Sequence, residues 1–238
     1  MALNADVSFT WVGHGTWKAR SAKGKEILID PWVMNNPVAP ENLKTVERCD
    51  LMLITHGHFD HIHDALEIAR RTKPTIVCNH EIGVWLGSKG LDGEKIIGGN
   101  TGGTIEAEGI AVTLVHAEHS CGITDNGGIV YGGEACGLVI EFENGFSVYF
   151  AGDTDVFGDM SLIAELSSST SLSFRSGAST PWGRIAPPRR PSCWASKRSC
   201  RCTSARFPSS RGIRASSRSW SGGVSKFSIS SPETSSSG

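Results

Sequence analysis

Short apolar runs separated by turn residues dominate the first 166 residues of the chain. Runs at residues 7–12, 26–29, 51–54, 75–78, 111–115, 138–142 and 146–150 have the length and β-branched content of strands. Residues 64–71 alternate apolar and basic faces and predict a helix, as does a segment near 81–86. The Gly-rich stretches 98–103 and 127–133 read as loops. The first of them has no strand before it, no helix after it and no Lys-Ser/Thr pair, which sets aside a phosphate cradle. Residues 162–166 read as a helix in progress. Beyond them aliphatic residues become scarce and neither period is sustained, so neither strand nor helix is expected there.

Charge changes at the same place. Residues 1–166 carry 11 basic and 23 acidic side chains, and residues 167–238 carry 12 basic and one acidic. The formal net charge of -1 is therefore a cancellation of two unlike parts. All eight His lie in the first part, and 24 Ser lie in the last 72 residues. The expected organisation is a folded domain over 1–166 followed by a Ser/Arg-rich, disordered tail over 167–238. Seven Cys without regular spacing argue against a disulfide framework. No stretch approaches the roughly 18–20 apolar residues of a membrane span. The opening residues also lack the basic and apolar regions of a signal peptide. A soluble cytoplasmic protein without a membrane partner is the resulting expectation.

The strongest chemical signal is Thr55-His56-Gly57-His58-Phe59-Asp60-His61, placed between an apolar strand and a helix. In extended backbone, residues i and i+2 point to one side, so His56 and His58 face together. The turn into the helix returns Asp60 and His61 to the same region. Imidazoles with a carboxylate suit Zn(II), and less exclusively Mn(II), Fe(II) or Ni(II). Four donors within six residues are enough to begin two adjacent sites. Two further strands run into possible ligands, one at His116-Ala117-Glu118-His119-Ser120 and one at Gly152-Asp153-Thr154-Asp155. His63 reads as an exposed or supporting group, and Asp64 as a helix N-cap.

This series resembles the motifs of the metallo-β-lactamase superfamily. Trp11-Val12-Gly13-His14-Gly15, Leu28-Ile29-Asp30-Pro31-Trp32 and Ala117-Glu118-His119-Ser120 narrow the resemblance to its small stand-alone metal-dependent hydrolases. The resemblance covers about residues 7–166. It implies an α+β fold, an αββα sandwich with two divalent ions, zinc foremost, at one edge between the sheets. His56, His58 and His119 would hold the first ion, Asp60 and His61 the second, and Asp153 would bridge them. His116 is the weaker alternative to His119, supporting the site from behind. His14 and Asp30 would stand close by, Asp30 behind the ligands and His14 with Asp60 in the catalytic machinery. The implied reaction is hydrolysis of an ester, amide, lactone or phosphodiester bond in a small molecule by metal-activated water. A metal-binding or oxidoreductase member of the same fold is the alternative.

The family pattern also supplies a late His for the second ion, yet no His follows His119. A shift of reading frame accounts for this together with the charge and Ser break. Regrouping each codon from the third base of its predecessor lets residues 201–206 read Met-His-Phe-Gly-Thr, a His-bearing strand end. The same register permits Met-Gly at residues 181–183. Over residues 224–238 it permits two apolar strands about a Pro-Gly turn. The sandwich is thus expected to be incomplete after residue 166, and the chain weakly active or inactive. Taken at face value, residues 209–219 instead resemble a basic, Ser-rich arm for nucleic acid. That partner is disfavoured, and the sequence leaves oligomeric state open.

Overall fold

The structure, a computed structural model, describes residues 6–166, 173–175 and 226–228. A mixed seven-stranded sheet has the order β14-β1-β2-β3-β4-β5-β6. Its strands are β1 (Ser8–Gly13), β2 (Thr16–Arg20), β3 (Glu26–Ile29), β4 (Leu51–Leu53), β5 (Thr75–Asn79), β6 (Ile96–Gly99) and β14 (Lys226–Ser228). The first three run antiparallel as a meander, and β3 to β6 run parallel. The second sheet has the order β13-β12-β11-β8-β7. It is formed by β7 (Thr104–Ala107), β8 (Ile110–His116), β11 (Cys136–Glu141), β12 (Ser147–Gly152) and β13 (Ser173–Arg175). A hairpin of β9 (Ile123–Asp125) and β10 (Gly128–Val130) stands apart from both sheets.

Alternation sets the layers. Phe9, Ile27, Ile29, Leu51, Leu53 and Val77 point from the first sheet into one core. They meet Val112, Leu114, Leu138, Ile140, Val148 and Phe150 from the second. The intervening residues Leu28, Met52, Ile54, Ile76 and Cys78 fill the opposite face of the first sheet. There they pack on α1 (Phe59–Ile62), α2 (Ala65–Thr72) and α3 (His80–Ser88) through Ile62, Ile68, Ile82 and Leu86. Buried on both sides, β4 reads as an unbroken apolar run, as a central parallel strand must. On the outer face of the second sheet, Tyr149 and Ala151 are covered by Ile163 of α4 (Met160–Leu166). The layers are helix, sheet, sheet, helix, with the last layer represented by α4 among the described residues.

The strands expected from the apolar runs are present, and five more escape the pattern: β2, β6, β7, β9 and β10. Gly98 and Gly99 finish β6, and Gly128 begins β10, so parts of both expected loops are strand. The expectation of no strand after residue 166 is also overturned. β13 adds parallel to β12, and β14 adds antiparallel to β1. Such additions need only backbone groups at a sheet edge, so they leave no side-chain period to read. The out-of-frame reading at residues 181–183 and 201–206, and the basic arm at 209–219, lie outside the described residues. Among the described residues, Cys49, Cys78, Cys121 and Cys136 are buried and free. No helix there is long and apolar enough to cross a membrane.

Candidate metal centre

The carboxyl ends of β3, β4, β8 and β12 deliver the polar groups of one site. Asp30, directly after β3, takes a left-handed backbone with φ of 50°. Its buried carboxylate gathers three donors. Oδ1 accepts from Thr55 N at 2.8 Å, while Oδ2 accepts from Thr55 Oγ1 at 2.7 Å and from His61 Nδ1 at 2.8 Å.

Counting hydrogens then fixes the imidazoles. The Thr55 hydroxyl has spent its proton on Asp30, so at 3.0 Å it accepts from His56 Nδ1–H. His56 Nε2 is left bare and faces His58 Nδ1 at 3.1 Å. His58 turns its other nitrogen, Nε2, to Ser120 Oγ at 3.0 Å. His61 donates from Nδ1 to Asp30, which leaves its buried Nε2 without a hydrogen-bond partner. That nitrogen looks across 3.4 Å to Asp153 Oδ2. Gly15 makes room for the ring, because a Cβ there would sit 2.3 Å from His61 Cε1.

His119 completes the cluster from the loop after β8, its ring 5.0 Å from His56 and 4.9 Å from His58. The loop is tied to the end of β12, where Glu118 N donates to Thr154 Oγ1 at 2.9 Å and Asp155 N donates to Glu118 O. On the far side, His14 Nε2 lies 2.6 Å from Asp60 Oδ2. Trp11 holds His14 in its left-handed backbone by donating from Nε1 to His14 O at 2.8 Å. Three overlapping donor groups result: His56, His58 and His119; His14, His61 and Asp153; and Asp30, His56 and His61. In each, the ligand atoms lie within 4.8 Å of one another.

Electrostatics separates these groups. Burial, with the neighbouring His61 and His58, pushes His56 well below the usual imidazole range. Burial and His119 lower His58 as well, so both are neutral bases at pH 7. Burial works against a charge on His61 too, but Asp30 and Asp153 outweigh it and raise its pKa to about 10. Asp60 is drawn down to about 2, because its hydrogen bond from His14 and the charge on His61 overcome burial. His56 Nε2 and His58 Nδ1, 3.1 Å apart, face each other closely enough to share one hydrogen or to hold one cation. That spacing is close to the roughly 3.3 Å between two nitrogen ligands of one tetrahedral zinc. The donor set fits a divalent ion.

Other residues named from the sequence stand differently. His116 is half exposed, 3.2 Å from Glu118 and edge-on to Phe157, outside the donor groups. Asp155 is exposed, with Oδ1 turned to Val156 N. His63 packs on Phe59. Asp64 does not cap α2 through its side chain: Oδ2 accepts from Val33 N at 2.5 Å and Met34 N at 2.8 Å. Thr55 and Ser120, which orient His56 and His58, were not singled out from the sequence. Their only signal is adjacency to a ligand candidate.

The sequence profile of the β-lactamase superfamily domain matches residues 25–188. A UPF0173 metal-dependent hydrolase of Koribacter versatilis is 54% identical over 160 residues, 67% of this chain and 68% of that one. The chain belongs to the β-lactamase superfamily. Another UPF0173 metal-dependent hydrolase, from Roseiflexus castenholzii, is 46% identical over 69% of this chain and 68% of its own. The metallo hydrolase Igni18 of the archaeon Ignicoccus hospitalis superimposes with a TM-score of 0.55 at 38% identity, over 67% of this chain and 66% of that one. Membership places this superfamily chain among the metal-dependent hydrolases of the metallo-β-lactamase fold. It also accounts for two facing sheets with the His/Asp cluster at one edge.

Proposed function

We propose that this chain binds two divalent ions, zinc foremost, and hydrolyses an ester, amide, lactone or phosphodiester bond of a small molecule. The observation that carries the reading is the convergence of imidazole nitrogens and carboxylates at one sheet edge. His56 Nε2 and His58 Nδ1 face each other, and His61 Nε2 faces Asp153. His56, His58 and His119 would hold the first ion. His61 and Asp60 would hold the second, with Asp153 between the two. When bound, such ions make water nucleophilic at neutral pH and polarise the bond under attack.

The chain's own groups do the remaining work. Thr55 and Asp30 fix the orientations of His56 and His61, so that Nε2 of each ring faces the site. Asp60, ionised throughout the neutral range, accepts a hydrogen bond and so would orient the attacking water. His14 holds that carboxylate in place. Trp32 and Phe59, 5.7 Å apart and continuous with His14, give an aromatic flank for the apolar part of a substrate.

We further propose that the tail after about residue 166 is read out of frame, so that residues 1–166 carry the main fold and the tail adds to it the short edge strands β13 and β14. The Koribacter match spans 67% of this chain and 68% of that one, so two chains of nearly equal length share only two thirds. The family profile reaches residue 188, so DNA across codons 160–190 is the segment to sequence. An uninterrupted frame there overturns the tail proposal. Lacking the late His, this chain is expected to hold its second ion weakly and to turn over slowly. Metal content, with hydrolysis of an ester, lactone and phosphodiester panel, tests the functional reading. Slow hydrolysis that is lost with His119→Ala supports it, and absence of any bound ion refutes it.

A further inference from the structure

Behind the His56–His58 loop lies a buried polar network that the catalytic reading does not use. Gly57, between the two imidazoles, donates its N–H to Cys121 Sγ at 3.3 Å. The loop is pressed against the β9–β10 hairpin there, since a Cβ on Gly57 would fall 2.5 Å from Ile123 Cγ1 and 3.1 Å from Cys121 O. The Cys121 thiol in turn donates to Gly132 O at 3.0 Å. Asn79, at the end of β5, closes the ring. Its Nδ2 donates to Gly132 O at 2.7 Å and Glu134 O at 2.8 Å, and also reaches Cys121 Sγ at 3.5 Å. Its Oδ1 accepts from Ile82 N and so caps α3.

Cys121 and Gly132 flank the hairpin on its two sides, and both are anchored to Asn79. The hairpin is fastened a second time by Asp125, which takes Trp85 Nε1 at 3.1 Å and Lys89 Nζ at 2.8 Å. The hairpin is therefore braced against α3 and cannot drift from the sheet edge. Its thiol holds the single backbone donor lying between the two imidazoles. We propose that Cys121 and Asn79 are positioning residues that brace the His56-Gly57-His58 loop against the β9–β10 hairpin. They thereby set the spacing of His56 and His58 toward the first ion.

The proposal rests on the reading of His56, His58 and His119 as ion ligands, and the experiment separates the two. Zinc affinity is measured by competition with a chromophoric chelator on the full chain, together with the thermal midpoint of the ion-free protein. Cys121→Ala is expected to weaken the tightest zinc by roughly 10–100-fold, the usual effect of losing a group that orients ligands. Cys121→Ser, which restores an acceptor and a donor, should recover most of the loss. Asn79→Asp keeps the α3 cap but removes both N–H donors, and should weaken zinc in the same direction. It also serves if Cys121→Ala does not fold. Cys49→Ala is the control: that thiol is equally buried but bonds Leu51 O, away from the site. It should lower the midpoint and leave zinc affinity unchanged. Unaltered affinity in Cys121→Ala and Asn79→Asp, or an equal loss in Cys49→Ala, overturns the brace. No zinc bound by the parent chain sinks the ligand reading itself.

Discussion

The two main donor groups leave the same sheet edge and differ in what stands behind them. His56 and His58 lean on hydroxyls, Thr55 and Ser120, and stay neutral. His61 leans on the carboxylate of Asp30, faces a second carboxylate in Asp153, and holds its proton up to about pH 10. A hydroxyl fixes a tautomer without charging the ring, whereas a buried carboxylate fixes it and makes the ring a strong base. One group is thus a ready lone-pair pocket. The other is a trap for positive charge, filled by a proton when no ion is present.

The largest expected break in this contrast is Asp30→Ala. It leaves a buried imidazolium and the Thr55 donors without their acceptor, and should destabilise the ion-free protein by about 3–5 kcal/mol in urea unfolding. His119→Ala removes a side chain that is 27% exposed and outside that network, and should cost under about 1 kcal/mol. Equal losses would show that the carboxylate has no special place in the fold.

The second expectation concerns pH. Below about pH 10 His61 carries the proton that an incoming ion must displace. Affinity for the second ion should therefore rise with pH by up to about tenfold per unit between pH 6 and 8. His56 and His58 are held below the usual imidazole range, so these two rings should add little proton release to ion binding over the same interval. Calorimetric titration in buffers of different ionisation enthalpy counts the protons released. Equal release at both sites would erase the distinction.

The smallest expectation sharpens the contrast. Thr55 Oγ1 is the single hydroxyl shared by the two groups, donating to Asp30 and accepting from His56. Thr55→Val keeps the shape and should cost about 1–2 kcal/mol in unfolding. In a double-mutant cycle with Asp30→Asn the two losses should be clearly less than additive. Strict additivity would mean that the groups are independent.

Much of this was legible from spacing. Buried β4 followed by His-x-His-x-Asp-His fixes which side chains share one strand end, because local backbone geometry dictates it. The braces were not legible. Asp64 sits where a helix cap is expected, yet its carboxylate reaches Val33 and Met34, some thirty positions back in the chain. Asn79 and Cys121 lie 42 residues apart and meet behind Gly57. Contacts of this kind depend on how the layers stack, and no period along the chain carries that information. The short strands escaped for a related reason. β9 and β10 pair only with each other, and the exposed pattern of β10 shows no buried face to alternate with.

Every donor in the cluster lies between His14 and Asp153, and both sheets have their main strands before α4. On a ribosome adding about 5–20 residues per second, the 72 residues after Leu166 take roughly 4–14 s to synthesise. During that interval the donor-bearing strands are already made, so ion capture can compete with the tail for the growing chain's edges. If the cluster takes an ion, the supply of that ion during translation would bear on how much of this polypeptide reaches the folded state.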